Sequence, residues 1–81
     1  MEVVPEGSML LMINDDQPGV IGSIGRLLGD NQVNISRMQL GREHAGGKAI
    51  SVVGIDSPVT PELLGKLKKL PHVLSAKLIK L

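Results

Sequence analysis

The sequence predicts an α+β fold, a four-stranded antiparallel sheet carrying two helices on one face. Three observations predict it. Four short runs rich in Leu, Ile, Val and Met read as strands. Two stretches between them repeat their apolar residues at the 3.6 spacing of a helix, one after the first run and one after the third. Polar, Gly- or Pro-bearing segments separate all six. The order is β-α-β-β-α-β, two split βαβ halves of the ferredoxin-like type.

An unbroken apolar run, Met9-Leu10-Leu11-Met12-Ile13, marks the first strand at 8–13. Apolar on both faces, it belongs in the centre of a sheet with both faces at least partly covered. Asn14-Asp15-Asp16-Gln17-Pro18-Gly19 follows, and then Val20, Ile21, Ile24, Leu27 and Leu28 at helical spacing. Helix one is expected over 17–30, with Asp15 or Asp16 as its N-cap and Pro18 in its first turn. Within it, Gly22, Gly25 and Gly29 each cost about 1 kcal/mol relative to Ala. Close packing explains such a stripe, against the chain's own sheet or a second subunit.

Asp30-Asn31-Gln32 breaks the helix, and strand two is expected over 33–42. Its apolar phase slips between Val33/Ile35 and Met38/Leu40, the sign of a bulge on an edge strand. Glu43-His44-Ala45-Gly46-Gly47 reads as a hairpin loop. Strand three, over 48–56, is rich in Ile and Val and therefore central. Thr60 caps helix two, Pro61 takes its first position, and Leu63, Leu64, Leu67 and Leu70 form its stripe up to a stop at Pro71. Strand four, over 73–80, turns Leu74, Ala76 and Leu78 to one side, as on a half-covered edge. The second face of the sheet has no helix of its own, so solvent or a partner must cover it.

Composition bounds the rest. At 81 residues the chain is one domain with a small core, helped by self-association. Residues 1–7 read as a tail or linker remnant and 8–81 as the domain. A net charge of +1 gives no electrostatic reason to expect nucleic acid or an acidic membrane surface. No run is long enough to span a bilayer. There is no cysteine, which fits a cytoplasmic protein. There is no Phe, Tyr or Trp, so the base-stacking platform of an RNA-recognition domain is missing.

Reactive constellations are missing too. His44 and His72 are isolated, in a loop and a turn, and read as ordinary surface histidines. No HxxxH, CxxC or DxDxDG spacing provides a metal site. Gly19, Gly22 and Gly25 follow a GxxGxxG spacing inside a helix, not the GxGxxG that opens one after a strand. What remains is the turn before helix one. Free N–H groups and the positive end of the helix dipole suit a carboxylate. Asp15 and Asp16 would repel a simple anion, whereas a zwitterion satisfies both. An ordinary capped turn is the plainer alternative.

The residues from Leu10 onward resemble an ACT domain, the ligand-binding module attached to many amino-acid-metabolic enzymes. Asp16-Gln17-Pro18-Gly19-Val20-Ile21-Gly22 is similar to that family's DxPGVIG turn, and Val33-Asn34-Ile35-Ser36 to its VNI strand. Within the family, Pro5-Glu6-Gly7, Met38-Gln39-Leu40-Gly41-Arg42 and Ala45-Gly46-Gly47-Lys48-Ala49 look most like the C-terminal regulatory domains of bacterial D-3-phosphoglycerate dehydrogenases. The ACT domain of the L-serine dehydratase β chain is the nearest competitor.

The resemblance implies feedback sensing. Serine-inhibited members pair two such domains side by side through the first helix and second strand, with L-serine between them. Carried over by position, the ligand contacts fall on Asn14, Asp16 and Asn34, framed by Pro18, Gly19, Val20 and Ile21. The homodimer surface falls on Gly22, Gly25, Gly29, Ile35 and Arg37. The best-studied serine-inhibited members have His where this chain has Asn14, and Asn where it has Asp16; Asn34 matches. The domain would carry no cofactor and no catalysis of its own, and the oxidoreductase chemistry would lie in catalytic domains of a parent enzyme. A ligand-free oligomerisation module is the alternative from a different class.

Overall fold

The computed structural model describes residues 8–42 and 47–80. The elements follow in the expected order: β1 (Ser8–Asp15), α1 (Val20–Asp30), β2 (Ile35–Arg42), β3 (Lys48–Ile55), α2 (Pro61–Lys68) and β4 (Val73–Lys80). The sheet runs β2-β3-β1-β4 with every neighbouring pair antiparallel. The two apolar-rich strands are central, and β2 and β4 are the edges. The expectations for residues 1–7 and for His44 lie outside the described residues.

Residues directly opposite across a strand pair share a face of the sheet. Leu10 pairs with Val53 and Leu78, and Met12 with Ser51 and Ala76, so these define one face. That face is buried under Val20, Ile24 and Leu28 of α1 and Leu63 and Leu67 of α2. Each such aliphatic side chain contributes about 1.5–3 kcal/mol on burial, which holds both helices where their propensity alone would not. The opposite face carries Met9, Leu11, Ile13, Ile50 and Val52. No helix of the described residues covers it: the first three stay half-buried and Ile50 is 48% exposed. Coverage of β1 is therefore unequal on its two sides.

The structure departs from the sequence expectations at three places. Helix α1 starts at Val20, not residue 17, and its N-cap is Gly19, not Asp15 or Asp16. Gly19 has φ 87 and ψ −12, and Val20 N–H donates to Gln17 O at 3.4 Å. These are the values of a type II turn with Pro18 and Gly19 at its centre. A left-handed residue cannot lie inside a right-handed helix, so the helix waits until the turn is complete, and β1 runs on to Asp15. At the other end, Gln32 N–H donates to Gly29 O at 3.0 Å and Val33 N–H to Leu28 O at 2.9 Å. With Gln32 at φ 57 this is a Schellman closure. Val33 is consumed by it, buried in the core, and β2 begins two residues later.

The third difference is at Leu74. The β1–β4 register shifts between Ile13 and Asn14, so that Ser75 faces Ile13 and Val73 faces Asn14. Leu74 falls in the bulge and is 51% exposed, while Val73 takes the inward place. The bulge expected in β2 is present between Ile35 and Arg37. Opposite it, Gly54 leaves room: a Cβ there would sit 3.2 Å from Ser36 Oγ and 3.3 Å from Arg37 Cβ.

Candidate functional site

The loop between β1 and α1 is braced from both sides. Asp15 N–H donates to His72 O at 2.8 Å, and Asp16 N–H to Gly47 O at 2.7 Å. Gln17 N–H turns back onto Asp15 O at 2.8 Å and leads into the Pro18-Gly19 turn. Pro18 and Gly19 are exposed, Val20 is buried as the first core residue of α1, and Ile21 is half-buried beside it. Among the described residues no side chain caps α1, and no acid lies in its first turn. Its leading N–H groups thus lie just beyond the turn, at the positive end of the helix dipole.

Asn14 precedes the loop on β1. It is 2% exposed. Its Nδ2 donates to Asp15 O at 2.8 Å, and its Oδ1 accepts from Ser51 Oγ at 3.4 Å. Asp15 Oδ2 is 3.7 Å from Nδ1 of His72, in the turn just before β4, both side chains about half exposed. Sequence reasoning treated His72 as isolated, and the chain fold brings it to Asp15.

Asn34 sits elsewhere. Ile35 pairs with Ile55, and Ile55 with Ser8, so the start of β2 lies level with the start of β1. Asn14 is six residues further along, opposite Ala49 and level with Arg42. At about 3.3 Å per residue the two ends are roughly 20 Å apart along the strands. One chain alone does not bring Asn14 and Asp16 together with Asn34.

Asn34 is exposed but firmly held. Its Nδ2 donates to Asp56 Oδ2 at 3.2 Å and its backbone N–H to Ser57 Oγ at 3.4 Å, while Asp56 N–H donates to Asn34 O at 3.4 Å. Asp56 and Ser57 were missed in the sequence. Counting the β2–β3 register back from Ile35–Ile55 would have found them, because Asp56 then falls beside Asn34.

The remaining expected positions cluster on one flank. Gly22 and Gly29 are exposed and Gly25 half-buried, and nothing of the described chain lies within 4 Å of a Cβ added at any of them. The chain's own sheet therefore does not explain the stripe. Ile35 and Arg37 flank the bulge of edge strand β2, and Leu40, further along it, is 45% exposed. Among the described residues no group of three His, Asp or Glu is placed to hold a metal, and no helix is long and apolar enough to cross a membrane.

The sequence pattern that defines the ACT domain matches residues 8–72. This chain belongs to the ACT domain family. It is 38% identical over 81 residues to D-3-phosphoglycerate dehydrogenase of Bacillus subtilis (strain 168) and 40% identical over 81 residues to that of Synechocystis sp.. In both cases the whole chain aligns, and it spans 15% of the relative's length. The fold is that of the ACT domain from GTP pyrophosphokinase of Chlorobium tepidum, with TM-score 0.71 and 19% identity over 89% of this chain and 95% of that one. The ligand-free regulatory subunit of aspartate kinase from Thermus thermophilus matches with TM-score 0.70 and 17% identity, over 90% of this chain and 50% of that one. The last two likenesses concern the ACT fold alone.

Proposed function

We propose that this ACT domain is the regulatory, feedback-sensing part of a D-3-phosphoglycerate dehydrogenase in serine biosynthesis, a cytoplasmic enzyme, and that it binds L-serine between two copies of itself. One observation carries the reading: the expected ligand residues stand at opposite ends of the same sheet, whose edge strand β2 can pair with its own copy. An antiparallel two-fold pairing centred on β2 would set Ile35 of the second copy opposite Arg42. Asn34 of the second copy would then fall one residue beyond, at the level of Lys48 and Asp15 and at the same end of the sheet as the loop that holds Asp16. An isologous interface makes two such sites at once.

Other features support this arrangement. The open backbone of β2 and the exposed Leu40 gain a cover. The outward glycines let α1 approach its copy closely. The uncapped start of α1 suits the ligand's carboxylate, framed by Pro18, Gly19, Val20 and Ile21, and Asp16 and Asn34 suit its ammonium. Buried Asn14 supports the loop from below. Regulation would then be a population shift, since serine favours the paired arrangement in which both halves of the site meet. The dehydrogenase chemistry, its cofactor and the response of the catalytic domains belong to the parent enzyme.

The test is thermal unfolding followed by far-UV circular dichroism, with each amino acid added in turn. A ligand at about 100 times its dissociation constant stabilises by about 2.7 kcal/mol, several degrees for a domain of this size. L-Serine is expected to give that shift, and Asn34→Ala to abolish it while the protein stays dimeric. A dimer that no amino acid stabilises would instead be the ligand-free oligomerisation module.

A further inference from the structure

We propose that Asp56 and Ser57 are positioning residues of the amino-acid site, fixing Asn34 so that its carboxamide oxygen is offered to the ammonium group of the ligand. The inference rests on the reading above and adds the direction of one hydrogen bond to it.

A carboxamide has two ends of similar shape and opposite hydrogen-bonding sense. Which end faces the ligand is decided by what the other end meets. At Asn34 it meets Asp56 Oδ2 at 3.2 Å. A carboxylate only accepts, so the NH2 end must turn inward, and the reverse orientation would set oxygen against oxygen. The Oδ1 is thereby committed outward as an acceptor. An acceptor there selects a donor: a primary ammonium, as in an α-amino acid, over a second carboxylate, which only accepts.

The backbone is fixed by the same segment. Asn34 precedes β2 and stands just before the bulge, where the strand ladder does not yet hold it. Ser57 Oγ accepts its N–H at 3.4 Å and Asp56 N–H donates to its carbonyl at 3.4 Å. Three hydrogen bonds from two consecutive residues thus set both the place and the sense of one exposed side chain. Since Asn34 would act on the ligand of the second copy, Asp56 and Ser57 tune a site whose loop belongs to the other protomer.

A reciprocal exchange tests the sense of the bond, with L-serine affinity read by titration calorimetry on the full chain. Asp56→Asn frees the amide of Asn34 to reverse and is expected to weaken L-serine binding about tenfold. Asn34→Asp sets two carboxylates together and weakens it as well. The double variant, Asn34→Asp with Asp56→Asn, restores the inner hydrogen bond with an acceptor facing outward, and its affinity is expected to recover. If Asn34 instead donated to the ligand's carboxylate, the double variant would bind worst of all, which would overturn the proposal. So would an Asp56→Asn variant that binds like the wild type but unfolds at lower temperature, because the clamp would then serve stability alone.

The Asn34 carboxamide protons, followed by 15N–1H NMR exchange, separate this from a failure of the amino-acid reading. In the unliganded wild type one proton is expected to exchange slowly, and in Asp56→Asn neither. Rapid exchange of both in the wild type overturns the clamp itself. Slow exchange in a protein that no amino acid stabilises overturns the ligand instead.

Discussion

The chain passes from strand to helix twice and finishes the two junctions differently. After β3, Thr60 closes the start of α2 by accepting Leu63 N–H at 3.1 Å, with Pro61 at the first position and Glu62 in the first turn. After β1, Gly19 stands at the cap with no side chain to offer, and the first turn of α1 carries no acid. Packing does not explain the contrast, since each helix anchors itself through residues that are almost fully buried. The α2 junction is complete within one chain. The α1 junction has a braced loop, a left-handed glycine and helix N–H groups that no side chain among the described residues caps.

The largest effects should be equal in the two regions. Leu28→Ala in α1 and Leu67→Ala in α2 each empty a fully buried position and are expected to cost about 2–5 kcal/mol by denaturant unfolding. A marked inequality would mean that the helices are not equally anchored, and the comparison of their caps would lose its footing. Gly54→Ala comes next, at about 1–3 kcal/mol, because the new methyl presses on Ser36 and Arg37 where the β2 bulge sits close. The bulge borders Asn34 and the expected pairing edge, so dimerisation should weaken along with stability.

The caps themselves follow. Gly19→Ala forces a Cβ into φ 87 and is expected to cost about 1–2 kcal/mol. Thr60→Ala removes a cap hydrogen bond for about 1 kcal/mol. These two similar losses should part company when L-serine is added. Thr60→Ala should keep the full ligand-induced rise in unfolding temperature, and Gly19→Ala should lose most of it. Equal rises in both variants would remove the functional distinction between the junctions.

What was legible in the sequence follows the range of the interactions that decide it. The order of elements, the central strands, the Thr60–Pro61 cap and the β2 bulge each depend on residues near one another in the chain. Helix one was misplaced at its start because Pro18 suits both a first helical turn and the second position of a type II turn, and only the φ of Gly19 decides between them. Leu74 was turned the wrong way because one bulge residue inverts the alternation of a strand, and its cause lies in the pairing with β1. The proposed site was half legible. Motif positions pointed to Asp16 and Asn34, but their separation depends on sheet register, and the burial of Asn14 and the hold of Asp56 on Asn34 depend on contacts 22 to 37 residues distant in sequence.

The smallest effect sharpens the comparison from the far end of α1. That end is closed within the chain by the Schellman hydrogen bonds, at the cost of holding Gln32 at φ 57. A non-glycine residue in the left-handed region costs about 1–2 kcal/mol, and glycine's extra freedom in the unfolded chain takes back about 0.5–1 kcal/mol. The exposed bond from Gln32 Nε2 to Asp30 O, 3.3 Å long, contributes little. Gln32→Gly is therefore expected to stabilise the domain by about 0.5 kcal/mol, a rise of a few degrees in unfolding temperature. Asn34 of the proposed site follows two residues later, but the substitution leaves the Schellman hydrogen bonds and the hold of Asp56 and Ser57 on Asn34 in place, so the further rise on adding L-serine should equal that of the wild type. A Gln32→Gly protein that is more stable but responds less to serine would show that the closure of α1 also sets the place of Asn34, and this end of the helix would then belong to the site as its start does.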